Sequence, residues 1–131
     1  MSATALTDLK KLEEWRRTSY AQQGEDLVAF RCLRQHCKMP LNHKGFYLDC
    51  GAFHPVKDSV TKLFHDKGWR GINVDAQATS IAEFQRLRPN DISINAAISD
   101  KDGVLNIYAP EDGGISVHSS ADSKIVSIMG E

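Results

Sequence analysis

The sequence has no excess of charge of either sign. Its 16 Lys and Arg residues are balanced by 17 Asp and Glu residues, so the formal net charge is -1. The two signs are interleaved along the chain, whereas a protein that binds nucleic acid usually carries a basic face. We therefore expect no nucleic-acid partner.

Long apolar runs and an even set of cysteines are missing as well. No stretch approaches the roughly 20 apolar residues that span a bilayer. Residues 1–6 have neither the basic flank nor the apolar length of a signal peptide. Cys32, Cys37 and Cys50 are an odd number for a disulfide framework. These features predict a cytoplasmic protein without a membrane partner.

Short apolar runs that alternate with helix-like segments are the main pattern in the middle of the chain. Strand-like runs occur at residues 46–52, 71–75 and 92–98, and apolar residues at helical spacing separate them at residues 60–67 and 80–87. This strand-helix-strand-helix-strand order is typical of a right-handed, parallel sheet. The sequence therefore predicts an α/β fold.

Two helices are predicted before the sheet. The first carries an apolar stripe at three-residue steps, made of Leu6, Leu9, Leu12 and Trp15. The second covers about residues 25–36, with Glu25 and Asp26 in its first turn, where negative charge suits the helix dipole. Residues 1–44 are thus predicted to be a helical segment that precedes a sheet domain at residues 45–110.

A β-hairpin is predicted after the third strand. Asp102-Gly103 is a common hairpin turn, and the apolar residues 104–108 follow it. Residues 111–131 are rich in Gly, Ser and Asp, so we expect them to form a loop-rich tail.

Two residues fall where a parallel α/β sheet binds its ligands, beyond the carboxyl ends of the strands. Gly51 follows the first strand and leaves room for a ligand to approach the backbone. Asp75 ends the second strand, where a carboxylate can accept hydrogen bonds from the two hydroxyls of a ribose. A nicotinamide cofactor would need a Gly-x-Gly-x-x-Gly loop for its pyrophosphate, whereas this loop continues as Phe53-His54-Pro55. The loop therefore favours an adenosyl cofactor without phosphates.

Four segments resemble one family of enzymes. Residues 45–55 (GFYLDCGAFHP) are similar to the first cofactor motif of the FkbM family of S-adenosylmethionine-dependent methyltransferases. Residues 67–75 (KGWRGINVD) resemble the second strand of that family, residues 95–99 (NAAIS) its third strand, and residues 19–26 (SYAQQGED) the segment that precedes its core. The resemblance implies a partial Rossmann-like sheet of the class I methyltransferase type, with N-terminal helices and the hairpin as an extension.

The resemblance also implies roles for particular residues. Asp49 and Gly51, with Ala52 beside them, would shape the methionine side of an S-adenosylmethionine pocket. Asp75 would hold the ribose and Ala97 would lie near the adenine. The family often has Glu followed by Pro after the second strand, whereas this chain has Asp75-Ala76-Gln77, so its carboxylate is one methylene shorter.

The implied reaction is methyl transfer to a hydroxyl oxygen of a small molecule or sugar. The family has a further acidic strand, of the type Asp-x-Glu-Gly, that faces the acceptor, and nothing between Ala109 and Glu131 matches it. We therefore expect a truncated chain, or one that another subunit completes, with a possible homo-oligomer formed through the free edge of the first strand or the Leu-rich first helix. The alternatives are a non-catalytic partner subunit and a different nucleotide-binding module.

Each of the candidate site residues also has a purely structural interpretation. Asp49 and Asp75 can cap loops, and His54 can be either a polar contact near the ligand or a hydrogen-bonded loop residue. Glu25 and Asp26 either approach the mouth of the pocket or serve the helix start. A zinc site is a further alternative, although its cysteine spacing is unusual; it would use Cys32, His36, Cys37 and His43.

Overall fold

The computed structural model describes residues 17–100 and Gly103. In chain order the elements are helix α1 (Glu25–Gln35), strand β1 (Phe46–Cys50), helix α2 (Lys62–Asp66), strand β2 (Arg70–Asp75), helix α3 (Ala78–Leu87) and strand β3 (Ile92–Asn95). The predicted alternation of strands and helices is confirmed, and the fold is α/β.

The three strands form one parallel sheet in the order β1-β2-β3. Leu48 pairs with Ile72, which in turn pairs with Ile92, and Asp75 pairs with Asn95. Because parallel neighbours run in the same direction, the carboxyl ends of all three strands lie at one edge of the sheet. This edge is where the sequence predicts the ligand.

All three helices pack on the same face of the sheet. A buried cluster of Met39, Tyr47, Phe64 and Trp69 forms the core of this face, with Phe30 and Leu33 of α1 packed against it. Gly71 of β2 lies directly under Tyr47, and a Cβ at this position would lie 2.1 Å from the Tyr47 ring. The core therefore depends on a glycine in the central strand.

The opposite side of the sheet is exposed over its two outer strands and buried at Val74 of the central strand. It consists of the alternate residues of each strand, and we call it the open face: Phe46, Leu48, Cys50, Arg70, Ile72, Val74, Ile92 and Ile94. Phe46 and Leu48 are each 63% exposed. Within the part of the chain that the structure describes, none of the three helices covers these side chains.

The segment before α1 is held by a buried carboxylate. Asp26 is fully buried and accepts hydrogen bonds from the Ser19 hydroxyl (2.5 Å) and from the Tyr20 N–H (2.8 Å). The carbonyl of Tyr20 accepts a hydrogen bond from the N–H of Ser59 (3.0 Å), in the loop that follows β1. The start of α1 is thereby attached to the carboxyl edge of the sheet.

Several boundaries differ from the prediction, among them the end of β1, which is Cys50 rather than Ala52. Helix α2 is shorter than residues 60–67, α3 begins at Ala78 rather than near residue 80, and β3 ends at Asn95 rather than at Ile98. The predicted first helix, the hairpin strand at residues 104–108 and the tail at residues 111–131 lie outside the described residues. Among residues 17–100, no helix is both long and apolar enough to cross a membrane.

Candidate functional site

The loops that follow β1 and β2 are tied together at the carboxyl edge of the sheet. The N–H groups of Gly51 and Ala52 both donate to the carbonyl of Val74, at 2.8 and 3.0 Å. The side-chain amide of Asn95 donates to the carbonyls of Asp75 (3.0 Å) and Ala76 (2.9 Å). All three strand ends therefore contribute to one small, hydrogen-bonded site.

Asp75 lies at the centre of this site. Its side chain points into the edge and the residue is only 8% exposed. One carboxylate oxygen accepts a hydrogen bond from the Phe53 N–H and the other accepts one from the Gln77 N–H, both at 2.8 Å. Each oxygen keeps a further lone pair, so the carboxylate can also accept hydrogen bonds from two hydroxyls. Asp75 thus acts as a loop cap and remains a competent acceptor.

The β1 loop leaves room beside Gly51. Gly51 has a φ of +73°, and a Cβ at this position would meet nothing within 4 Å. Phe53, two residues later, also has a positive φ, of +59°. At Gly51 the loop therefore presents backbone, rather than a side chain, to open space.

The N–H groups of this loop are all used within the protein. Those of Gly51, Ala52 and Phe53 bind Val74 or Asp75, and that of His54 binds the carbonyl of Ala52 (2.7 Å). Pro55 has none, and those of Val56 and Lys57 donate to Nδ1 of His54, each at 3.0 Å. From residue 51 to residue 57 no N–H is left to bind a phosphate.

His54 is placed by these contacts as a loop residue. Its Nδ1 accepts two backbone hydrogen bonds, so the imidazole closes the turn that contains Pro55. In this structure His54 is therefore a hydrogen-bonded loop residue, which is the structural one of the two interpretations given above.

Asp49 faces the helices from the end of β1. One of its carboxylate oxygens accepts a hydrogen bond from the Thr61 hydroxyl (2.7 Å). Burial raises the pKa of Asp49 above its usual range, and the Thr61 hydrogen bond and the charge of Arg88 oppose that rise. Burial of the ionised Asp49 side chain therefore lowers the free energy of unfolding at neutral pH.

We expect Asp49→Asn to stabilise the fold at pH 7. A raised folded-state pKa means that the native protein binds the Asp49 proton more tightly than the unfolded chain does, so stability falls as the pH rises from the ordinary Asp range through the folded-state pKa. The neutral amide escapes this cost and can still accept the Thr61 hydrogen bond. Urea unfolding should give a higher midpoint for the variant at pH 7, and the difference should shrink as the pH falls below the ordinary Asp range.

The exposed Asp100 provides the control for this prediction. Asp100→Asn should leave the urea midpoint unchanged at both pH values. A variant at Asp49 that is less stable than the wild type at pH 7 would contradict the burial argument.

Arg88 supports the site from beneath. It is 1% exposed, and its guanidinium donates to the hydroxyls of Thr61 (2.9 Å), Ser59 (3.1 Å) and Tyr47 (3.3 Å). It also donates to the carbonyl of Pro55. One arginine therefore holds three points of the loop between β1 and α2 and, through Thr61, reaches Asp49.

Asp91 completes this network at the opposite edge of the sheet. It accepts hydrogen bonds from the Tyr47 hydroxyl, from the Gly71 N–H (3.2 Å) and from the Asn73 side chain (3.2 Å). Burial first, and then the hydrogen bond to Asp91, raises the pKa of Tyr47 far above its usual range. Tyr47 is thus a neutral donor to Asp91 and an acceptor for Arg88.

The sequence analysis missed Arg88, Thr61 and Asp91. Arg88 follows the helix predicted at residues 80–87 and resembles a solvated terminal charge. Its spacing from Ile81 and Phe84, however, puts it on the buried face of that helix, and this was the available signal. Thr61 and Asp91 have no comparable signal, because their partners are distant in sequence.

The other predicted site residues occupy varied positions. Ala52 is buried beneath the β1 loop and Ala97 is half-buried two residues beyond the end of β3. Glu25 is exposed and accepts a hydrogen bond from the Gln23 N–H (2.8 Å), while Asp26 is turned toward Ser19 and Tyr20. Both acids therefore serve the start of α1 in this structure.

The alternative zinc site is not assembled. Cys32 and Cys37 are exposed free thiols. Among residues 17–100 and Gly103, no group of three or more His, Cys, Asp or Glu side chains is close enough together to hold a metal ion.

The carboxyl edge therefore offers a carboxylate that can accept hydrogen bonds and an open backbone position at Gly51, and it leaves no free N–H between residues 51 and 57. Comparisons of the chain with protein-family models, with curated proteins and with solved structures gave no match.

Proposed function

We propose that this chain binds S-adenosylmethionine and forms the cofactor-binding half of a methyltransferase of the FkbM type, with a Rossmann-like sheet. The observation that carries the proposal is the position of Asp75. Its carboxylate lies at the end of β2 and binds the N–H of Phe53, in the same loop as the open position at Gly51, and a carboxylate at such a strand end can accept hydrogen bonds from a ribose. The sequence motifs around both residues agree with this assignment.

The residues present fit the adenosyl group better than a dinucleotide. A pyrophosphate binds to free N–H groups at a glycine-rich turn, and every N–H from residue 51 to residue 57 is engaged within the protein. A cofactor without phosphates needs none of these donors. The hydrogen bonding of the loop therefore favours S-adenosylmethionine over a nicotinamide or sugar nucleotide.

Each residue has a definite task in this proposal. Asp75 accepts hydrogen bonds from the ribose hydroxyls, and Gly51 lets the methionine part pass close to the backbone. Asp49 borders the methionine side, and Ala97 lies toward the adenine beyond β3. The bound cofactor supplies an electrophilic sulfonium methyl group for transfer to a hydroxyl oxygen of a small molecule or sugar.

The chemistry on the acceptor side is largely a matter of positioning. The protein must hold the hydroxyl in line with the methyl group, and the segment from Ala109 to Glu131 has no acidic motif suited to this task. This observation favours a second candidate, a subunit that binds the cofactor and leaves chemistry to a partner. Methyl-transfer assays with and without added partner proteins would separate the two.

We expect Gly51→Ala to weaken binding of S-adenosylhomocysteine by about tenfold or more, ~1.4 kcal/mol. The added methyl group would occupy the open space at Gly51, where no protein atom lies within 4 Å and where the proposal puts the methionine part of the cofactor. Isothermal titration calorimetry of the full chain measures the change directly.

Gly68→Ala is the matched control. Gly68 also has a positive φ, of +89°, but it precedes β2 and so lies at the opposite edge of the sheet. Both variants should lose similar stability, about 1 kcal/mol, since both place a Cβ in the left-handed region. Equal loss of affinity in the two variants would contradict a ligand beside Gly51.

A further inference from the structure

One stretch of the chain carries only positive charge. Residues 27–48 contain no Asp or Glu, although they include Arg31, Arg34, Lys38 and Lys44 as well as two histidines. The whole protein, in contrast, has a formal net charge of -1. The overall balance therefore conceals a local excess of cations.

The fold collects these cations at the amino edge of the sheet, where the three parallel strands begin. Helix α1 ends there, because Met39, just beyond its last turn, packs against Trp69, the residue before β2. The side chain of Lys44 lies along Gly68 at the same edge, with its carbon atoms between 3.2 and 3.7 Å from the position of an added Cβ. We call this group the cationic edge: Arg34, Lys38, Lys44, Lys67 and Arg70.

The cationic edge is not neutralised within the described part of the chain. Among residues 17–100, no Asp or Glu forms an ion pair with any of its members. Arg34 and Arg70 donate to main-chain carbonyls. The ammonium of Lys67 lies 4.7 Å from the centre of the Phe30 ring. These contacts hold the side chains in place and leave their positive charge uncompensated.

Two acids at the same edge have other partners. Asp66 pairs with Lys62, one helical turn earlier in α2. Asp91 accepts hydrogen bonds from the Tyr47 hydroxyl, the Gly71 N–H and the Asn73 side chain. Both carboxylates are thus engaged within the protein, and the cationic edge stays attractive to an external anion.

Large apolar side chains are exposed beside these charges. Leu41, in the connector between Lys38 and Lys44, is 68% exposed, and Phe46, the first residue of β1, is 63% exposed. The strand register puts Phe46 opposite Arg70. Exposed Leu and Phe next to Lys and Arg are the combination that binds the interface of an anionic bilayer.

We propose that the cationic edge, together with Leu41 and Phe46, docks on the surface of an anionic membrane. The Lys and Arg side chains are attracted to the negative headgroups, and the two apolar side chains enter the boundary between headgroups and acyl chains. A nucleic acid would use the same charges but would not bury an exposed leucine in hydrocarbon. Such docking replaces the expectation of no membrane partner, which rested on the lack of a spanning run. It is independent of the proposed function, since the cofactor site lies at the opposite, carboxyl edge.

Flotation of the full chain with lipid vesicles tests the charge requirement. The protein should float with phosphatidylcholine vesicles that contain about 30 mol% phosphatidylserine, and not with pure phosphatidylcholine. Lys44→Glu should weaken the partitioning by about tenfold or more, because it removes an attractive charge and adds a repulsive one. Lys57→Glu is the matched control, with the same change at an exposed lysine of the loop after β1, at the carboxyl edge. The control should stay within about twofold of the wild type, since salt screens charges that are more than a Debye length from the surface.

Leu41→Trp tests the apolar contact. Its emission should shift to shorter wavelength when the phosphatidylserine vesicles are added, because the indole leaves water. Val28→Trp is the control, since Val28 is 62% exposed but lies in the first turn of α1, which is attached to the carboxyl edge. The native tryptophans are common to both variants, so a shift in the Leu41 variant alone supports insertion at the cationic edge.

Other results would overturn the proposal. Equal flotation with both kinds of vesicle, or no flotation, would show that the cationic edge does not bind anionic lipid. Equal losses in Lys44→Glu and Lys57→Glu would show that the position of the charge has no effect. Saturable binding of a labelled single-stranded RNA, without binding of the vesicles, would assign the edge to a nucleic acid instead.

Discussion

Replacing Arg88 by methionine is expected to destabilise the protein by about 3–5 kcal/mol, the largest loss that we predict for any single residue. The guanidinium is buried and binds the hydroxyls of Ser59, Thr61 and Tyr47 as well as the Pro55 carbonyl. Methionine has a similar length but donates none of these hydrogen bonds, and a buried polar group that loses its partner costs about 1–3 kcal/mol. Urea or thermal unfolding monitored by circular dichroism measures the loss.

Arg86→Met is the matched control for this variant. Arg86 lies two residues earlier, and its side chain is 64% exposed in an ion pair with Glu83. Exposed pairs of this kind contribute about 0–1 kcal/mol, so the control should remain close to the wild type. Comparable losses in the two variants would show that Arg88 does not support the loop in the way that its contacts indicate.

Asp75→Ala is expected to weaken binding of S-adenosylhomocysteine by about a hundredfold or more. Two hydrogen bonds from hydroxyls to a carboxylate contribute about 1.5–3 kcal/mol each, and about 2.7 kcal/mol corresponds to a hundredfold change in affinity. Asp75 also holds the N–H groups of Phe53 and Gln77, so the variant loosens both loops of the site.

Asn95→Ala separates these two effects. The Asn95 side chain ties the β2 loop through the carbonyls of Asp75 and Ala76 but has no carboxylate to offer a ribose. Its loss should reduce the affinity by less than about tenfold. If Asn95→Ala and Asp75→Ala weaken binding equally, the role of Asp75 is to hold the loop and not to bind the ribose.

The sheet could be predicted from the sequence because its determinants are local. Each strand is a short apolar run that ends in a polar residue or a glycine, and each helix has its own apolar spacing. The same local reasoning placed Asp75 and Gly51 at the carboxyl edge, because the end of a parallel strand fixes the edge at which its last residue lies. The end of β3 was less well defined, since Ala96, Ala97 and Ile98 continue its apolar run.

The network under the site could not be predicted in this way. Arg88 meets Pro55 and Thr61 only when α3 packs on the sheet, and Asp91 meets Tyr47 across 44 positions of sequence. Charged residues are also expected at the surface, so sequence reasoning alone would not place the Arg88 guanidinium in the core. The engaged N–H groups of the β1 loop are equally a property of the folded loop, and they are the structural argument against a dinucleotide.

The calorimetric titration of the folded wild-type chain with S-adenosylhomocysteine, run beside Asp75→Ala, tests the central claim most directly. The account predicts saturable binding at a single site in the wild type and its loss in the variant. A wild-type chain that unfolds cooperatively on heating, and is therefore folded, but gives no binding heat at several temperatures would contradict the assignment of a cofactor site to the carboxyl edge.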